Sequence, residues 1–360
     1  MSPIYRKNPD TMQGPRSSTR RWGTDRVIPL DVLATGVRAR RFGGTRILLV
    51  ALLSGFLVIA SCAAPPQPLA LGVAADDVSA IERFSATTGA PVGVYQWYQG
   101  WAGTPDFDVT RAAAAGARGS LPLLTWEPWA PGAGAEQPQY ALARIVDGAH
   151  DAYIASFARQ VRSWGGRLGL RFLHELNAPF YPWGSGVNGN TPGDAIAAWK
   201  HVRRIFDAEG AHNVVWVWCV NVHAAGYADY APLYPGDEAV DWVAVDGYNG
   251  GDALPWGGWR SPEDVFGPSL TDLSNLSDRP LAISEVASAE QGGNKATWIE
   301  DLFELALARG VRVLIWFDYN KETDWRVGSS PASESAMRAH AAIAGRLGPP
   351  PLPLPPPAGT

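Results

Sequence analysis

Apolar runs of four to eight residues recur along the chain, and most are followed by a stretch with helical spacing. The runs cover residues 69–73, 91–98, 121–126, 168–173, 214–220, 241–245, 281–284 and 311–317. Runs of this length read as buried strands. Between them, 149–164 spaces Tyr153, Phe157 and Val161 four apart, with Trp164 three further on. Residues 195–208 put Ile196, Trp199, Val202 and Phe206 on one helical face, and 298–308 repeats Leu302, Leu305 and Ala306. Strand and helix alternating eight times predicts a single (β/α)8 TIM barrel, which needs about 250 residues. The competing architecture is an open doubly wound sheet. It calls for a Gly-rich phosphate turn after the first strand, and the sequence has none there.

The pattern divides the chain into four parts: an export signal over 1–61, a short tether over 62–68, the barrel over 69–345 and a proline-rich tail over 346–360. The apolar run 47–60 follows Arg40, Arg41 and Arg46. It falls short of the roughly 20 residues of a membrane span and suits the apolar part of a secretion signal. It ends in Ile59-Ala60-Ser61-Cys62, which resembles a bacterial lipobox. That resemblance implies cleavage before Cys62 and lipid on its sulfur, so a membrane-anchored, extracytoplasmic protein; the alternative is an ordinary secretion signal with an incidental cysteine. Arg40-Arg41 raises twin-arginine export, although the residues after it match that signal poorly. The tail is expected to be extended polyproline, a spacer or a loose end.

Charge follows the same division. Ten of the thirty Lys and Arg side chains and three of the thirty-five acids lie in the first 61 residues, leaving a formal balance of −12 for the remainder. An acidic folded part argues against nucleic-acid binding. Of the two cysteines, Cys219 lies inside a strand-like run and reads as an inert buried thiol. No Cys/His cluster has metal-site spacing, so neither metal nor cofactor is expected, and the chain is taken as a monomer. Sixteen tryptophans lean the reading towards carbohydrate, because indole faces stack on sugar rings, although large α/β cores also use Trp.

In a barrel, the C-terminal ends of all strands open on one face. Two glutamates stand at such ends: Glu175 in Leu168-Gly-Leu-Arg-Phe-Leu-His-Glu175 and Glu285 in Arg279-Pro-Leu-Ala-Ile-Ser-Glu285. Two carboxylates on different strands are what a barrel glycosidase needs, one as acid and base, the other as nucleophile. Trp126 and Glu127 end the third strand. His174, Glu175 and Asn177 end the fourth, with Trp183 shortly after. Asn221 ends the fifth, Asp246 and Tyr248 the sixth, and Trp316 the eighth. Carboxylates, aromatic faces and amides gathered at one mouth suit a ligand with many hydroxyls. Glu127 and Asp246 read as residues that order loops.

At these residues the chain resembles glycoside hydrolase family 26, the family of β-mannanases and some β-glucanases. The strongest match is Arg171-Phe-Leu-His-Glu-Leu-Asn-Ala-Pro-Phe-Tyr-Pro-Trp183. Trp126-Glu-Pro-Trp129, Asn213-Val-Val-Trp-Val-Trp218, Tyr234-Pro-Gly-Asp237, Val240-Asp-Trp-Val-Ala-Val-Asp-Gly-Tyr-Asn249, Lys295-Ala-Thr-Trp298 and Asp324-Trp-Arg326 support it. The resemblance implies that Glu175 is the acid/base and Glu285 the nucleophile. It makes His174 a substrate-holding histidine, Tyr248 a hydrogen-bond donor to the nucleophile and Trp316 the floor under the cleaved sugar. Arg171 would stabilise the ionised nucleophile; read alone, it could also be an interior ion-pair residue, and His174 a satisfied buried histidine. The chain departs from the family at Leu176 and Ala178, where Met and Gly are usual, and at Val286-Ala287, where Phe-Gly is usual. The activity implied is endo-acting, retaining hydrolysis of a β-linked polysaccharide, with β-1,4-mannan first, and a mixed-linkage β-glucan or an exopolysaccharide second. The reading from another class is a non-catalytic, lipid-anchored carbohydrate-binding barrel.

Overall fold

The computed structural model describes residues 69–103 and 105–346, and the main chain only for 342–346. Cys62, the apolar run 47–60, the tether and the proline-rich tail beyond Arg346 lie outside the described residues. No helix among the described residues is long and apolar enough to cross a membrane.

Among the described residues, eight strands close into a barrel in the order β1 to β8, every neighbouring pair parallel. They are β1 Ala70–Ala74, β2 Val94–Gly100, β3 Leu121–Glu127, β4 Leu168–Phe172, β5 Val214–Asn221, β6 Trp242–Asn249, β7 Leu281–Ser288 and β8 Val313–Phe317. Helices follow the strands: α1 Ala80–Thr88, α2 Val109–Ala117, α3 Leu142–Val146 with α4 Asp151–Trp164, α5 Pro192–Ala208, α6 Pro262–Leu276, α7 Lys295–Ala308 and α8 Pro331–Arg346. The (β/α)8 barrel expected from the alternation is the observed fold.

Local sequence sets these boundaries. Helix α5 begins on a capping box, in which Thr191 and Asp194 satisfy each other's backbone N–H, with Pro192 in the first turn. Ser261, Asp264 and Pro262 do the same for α6. Strand β2 starts three residues later than the apolar run, beyond Pro91, which has no N–H to give a ladder. Strands β6 and β7 run four residues further than expected, still paired through Asn249 and Ser288, and this places Asp246, Tyr248 and Glu285 within the strands.

Side chains alternate between the barrel interior and the helix layer. Thr125, Arg171, Cys219 and Asp246 meet inside the barrel. Trp126 and Phe172, the residues after Thr125 and Arg171, pack outward with Trp216 of β5 against Phe157, Trp199 and Phe206. Gly247 separates the inward Asp246 and Tyr248. A Cβ there would lie 2.8 Å from Phe266 and Val222 atoms, so only glycine lets β6 lie this close to α6. Strand β7 carries a bulge: Val245 pairs with Ile283 but Asp246 with Glu285, one residue further along on β7. The extra residue turns both Ser284 and Glu285 into the interior.

Candidate active site

The interior charge network is built around Arg171, which is fully buried. Its Nε donates to Thr125 Oγ1 at 2.9 Å, one terminal nitrogen to Asp246 and the other to Glu285. The bulge adds Ser284, whose hydroxyl donates to Asp246 Oδ1 at 2.6 Å. Burial opposes the charge on Arg171, but Asp246 and Glu285 outweigh it and raise its pKa well above the ordinary arginine value. One cation faces two carboxylates. Burial then lifts Asp246 to about 7 against the pull of Arg171. The second oxygen of Glu285 accepts from the Tyr248 hydroxyl, so Arg171 and Tyr248 hold its two oxygens separately.

Glu175 sits just past the end of β4 on an unusual backbone. Both Leu173 and Glu175 have positive φ, 54° and 52°. Non-glycine residues accept that conformation only when surroundings over-determine it, and such residues gather at functional sites. Here the Glu175 N–H donates to Cys219 O at 3.0 Å, and its Oε1 accepts from Asn221 Nδ2 at 2.6 Å. Asn221 is braced in turn. Its N–H donates to Asn177 Oδ1 at 2.7 Å while Asn177 Nδ2 donates to Asn221 O at 3.0 Å. Asn177 thus ties the two strand ends together, and it is Asn221 that reaches the glutamate.

One carboxylate oxygen from each of Glu175, Asp246 and Glu285 lies within 4.8 Å of the other two. Three such oxygens could in principle hold a cation, but the Arg171 guanidinium already supplies the positive charge to two of them.

His174 is 2% exposed and lies against Tyr181, ring centroids 4.6 Å apart. Three tryptophans expected at the cleft are elsewhere. Trp126 points outward, donates to the Tyr153 hydroxyl and stacks on Phe157. Trp183 donates to His174 O at 2.7 Å and stacks on Tyr181 at 4.6 Å, so it backs the cleft wall. Trp316 donates to Trp325 O at 3.0 Å and carries the Lys295 ammonium over its ring at 5.6 Å. All three are less than 2% exposed, with no face free for a sugar. The inward residue of β8 is the next one, Phe317, whose ring meets Tyr98 and Tyr248 edge-on at 6.5 and 5.4 Å. Tyr98, half-buried on β2, also lies 5.8 Å under Arg171. Phe317, Tyr98, Thr125 and Ser284 were not among the expected site residues; the register that pairs Thr125 with both Tyr98 and Arg171 shows that Tyr98, Thr125 and Arg171 face the same way, and nothing in the sequence carries that register. Leu176, Ala178, Val286 and Ala287, where the chain departs from the expected family residues, are buried.

Comparison with known proteins agrees with this geometry. Residues 143–286, which hold both Glu175 and Glu285, match Glycosyl hydrolase family 26. The chain is 38% identical over 268 residues to Endoglucanase H of Acetivibrio thermocellus, covering 72% of this chain and 28% of that protein. It is 24% identical over 243 residues to a mannan endo-1,4-beta-mannosidase of Thermothelomyces thermophilus, covering 66% and 40%. The chain therefore spans less than half the length of either relative. Among solved structures, the fold matches the family 26 β-mannanase BoMan26A of Bacteroides ovatus with TM-score 0.58 at 15% identity, over 78% of this chain and 90% of that one. It matches the catalytic domain of the endo-beta-1,4-mannanase of Bacillus sp. JAMB-750 with TM-score 0.59 at 14% identity, over 78% and 87%.

Proposed function

Because this chain belongs to glycosyl hydrolase family 26, we propose that it is a retaining, endo-acting glycoside hydrolase whose substrate is a β-linked glucan. The observation that carries the reading is the approach of Glu175 and Glu285 to within 4.8 Å. Retaining glycosidases hold their two carboxyl groups about 5 to 5.5 Å apart, whereas inverting ones need about 6.5 to 9.5 Å for an intervening water.

The reaction then runs in two displacements. Glu285 attacks the anomeric carbon while Glu175, protonated, gives its proton to the departing glycosidic oxygen. The C–O bond breaks, and the sugar is left as an ester on Glu285. Water then attacks the same carbon, Glu175 takes its proton, and Glu285 leaves as carboxylate. Arg171 and Tyr248 keep the nucleophile's two oxygens aimed and stabilise it when it departs. Asn221 aims Glu175. Chemistry of this kind calls on no metal or cofactor.

Glucan is preferred to mannan because the endoglucanase relative is 38% identical and the mannanase relative 24%. β-1,4-Mannan is the second reading, favoured by the mannanases among the fold matches. Incubation with β-glucan and with β-mannan, measuring new reducing ends, decides between them. The anomeric configuration of the first-formed product, read by NMR, tests retention. No turnover of either polymer, with oligosaccharide binding intact, would favour the non-catalytic carbohydrate-binding barrel.

The lipobox-like Ile59-Ala60-Ser61-Cys62 supports a further part of the proposal, an extracytoplasmic enzyme anchored through lipid on Cys62. Metabolic labelling with a fatty acid should mark the wild type and not Cys62→Ser. Unlabelled wild type released into the medium would overturn the anchor.

A further inference from the structure

The two-glutamate chemistry gives no task to two short motifs, Lys295-Ala-Thr-Trp298 and Asp324-Trp-Arg326. The structure brings them together. Lys295 is the first residue of α7 and is 1% exposed. Its ammonium donates to Arg326 O at 2.8 Å, to Ser329 Oγ at 2.8 Å and to Trp325 O at 3.5 Å. Ser329 in turn donates to Glu290 Oε1 at 2.6 Å. Burial takes Lys295 down to about 8, with Glu290, Asp324 and Asp318 opposing and Arg326 adding to the fall, so at pH 7 it keeps all three donors.

Stability alone does not account for this lysine. A buried ammonium pays heavily for lost hydration. At the start of a helix it also opposes the macrodipole. What it gains is a grip on the loop between β8 and α8. The same turn of α7 holds a second loop, because Trp298 Nε1 donates to Arg260 O at 2.8 Å. Arg260 N–H donates to Asn249 Oδ1 at 3.1 Å, at the end of β6. The first turn of α7 is thus tied to the loops on both sides of Tyr248.

The link to the chemistry runs through Trp325. It is buried, and its ring lies against the Tyr248 ring with centroids 5.2 Å apart. Phe317 meets the same tyrosine edge-on at 5.4 Å, and the Tyr248 hydroxyl donates to Glu285. Phe317 is placed by β8 itself, but Trp325 lies beyond the strand and depends on the bonds that pin its loop. Trp316 Nε1 shares the Trp325 carbonyl, and Lys295 extends the hold to Arg326 and Ser329. We propose that Lys295 is a positioning residue for the nucleophile: it fixes Trp325, Trp325 fixes the Tyr248 ring, and Tyr248 aims Glu285. This rests on the reading of Glu285 as nucleophile and deepens it.

The test uses Lys295→Met, similar in length but without a donor, together with Tyr248→Phe and the double variant, all in the full chain. Rates are read on whichever of β-glucan and β-mannan the wild type cleaves, at a temperature where melts show every variant folded. Lys295→Met is expected to lose about tenfold in kcat while KM stays within about threefold. Added to Tyr248→Phe, it should cost less than about twofold more, because the path runs through a hydroxyl already removed. Trp199→Phe, which loses an indole bond to Ala239 O outside the barrel, controls for lost stability and should keep kcat within about twofold. In protein carrying ring-labelled tyrosine, the NMR signal of Tyr248, assigned by its absence in Tyr248→Phe, should move in Lys295→Met as the Trp325 ring shifts. If Lys295→Met does not fold, Trp325→Leu replaces it, with the same losses expected.

The proposal is overturned by an unchanged kcat, by the full tenfold loss recurring in the Tyr248→Phe background, by an equal loss in Trp199→Phe, or by an unmoved Tyr248 signal. If the wild type cleaves neither polymer, the functional reading fails instead. The Tyr248 signal then still judges Lys295: a shift upholds the path from Lys295 to Tyr248, and its absence refutes it.

Discussion

The side-chain amide of Asn221 donates to Oε1 of Glu175 at 2.6 Å, joining the end of β5 to the glutamate beyond β4. Glu175 sits at φ 52°, a conformation its own backbone does not favour, so its aim depends on such neighbours. Asn221→Ala should therefore lower kcat/KM by about 10- to 100-fold, because misplacement of a catalytic group by an ångström carries a cost of that order. Asn177→Ala, which removes the brace and leaves the donor, should have a smaller effect. If both variants fold and both match the wild type, Glu175 is positioned by something else.

Glu285→Ala should remove nearly all turnover, since no bond to the anomeric carbon can then form. The truncation also leaves space beside Arg171 and Tyr248, which both point at the vacated oxygens. Azide should enter there and restore part of the rate, giving a glycosyl azide of inverted configuration. Persistence of wild-type turnover in this variant would assign the nucleophile to another residue.

The two glutamates were legible because each follows a short apolar run, and the strand count alone put them at the fourth and seventh strand ends. Which face of each strand a residue occupies was much less legible. Trp126 lies in Leu121–Glu127, a strand buried along its whole length. Strands in a parallel barrel are covered on both faces, so their sequences lack the polar alternation that would reveal the phase. The same difficulty affects Trp316 in β8, where every residue is buried. The bulge in β7 was not legible either. It places Ser284 and Glu285 together inside the barrel, and the sequence Ile283-Ser-Glu-Val286 carries no mark of a register shift.

The Arg171 cluster should be visible in the pH dependence of stability. Burial raises Asp246 from an ordinary aspartate value to about 7. Between those values the folded protein holds a proton that the unfolded chain has released, so this group's contribution is greatest at low pH and is lost as pH rises towards 7. In Asp246→Asn that decline should be absent, and the melting temperature should change less between pH 4.5 and 7.5 than in the wild type. Parallel curves for the two proteins would mean that Asp246 stays ionised across the range, held by Arg171.

The last prediction separates two adjacent aromatic residues. Trp316 is fully buried behind the barrel wall, bonded to Trp325 O and covered by Lys295. Phe317 faces the interior between Tyr98 and Tyr248, the tyrosine that donates to Glu285. Trp316→Phe removes a hydrogen bond and part of a packed ring, which should reduce stability by about 2 kcal/mol. Its kcat/KM at a temperature where it remains folded should stay within about twofold of wild type, because the ring touches nothing in the cleft. Phe317→Ala takes away apolar surface where the sugar ring flattens towards the oxocarbenium-like transition state, and should lower kcat by about tenfold or more while KM moves less. Measuring both variants on the same short oligosaccharide, with melts alongside, makes the comparison direct. A folded Trp316→Phe that loses turnover while Phe317→Ala keeps it would place Trp316 under the sugar after all, and would mean that the eighth strand turns its tryptophan inward when substrate binds.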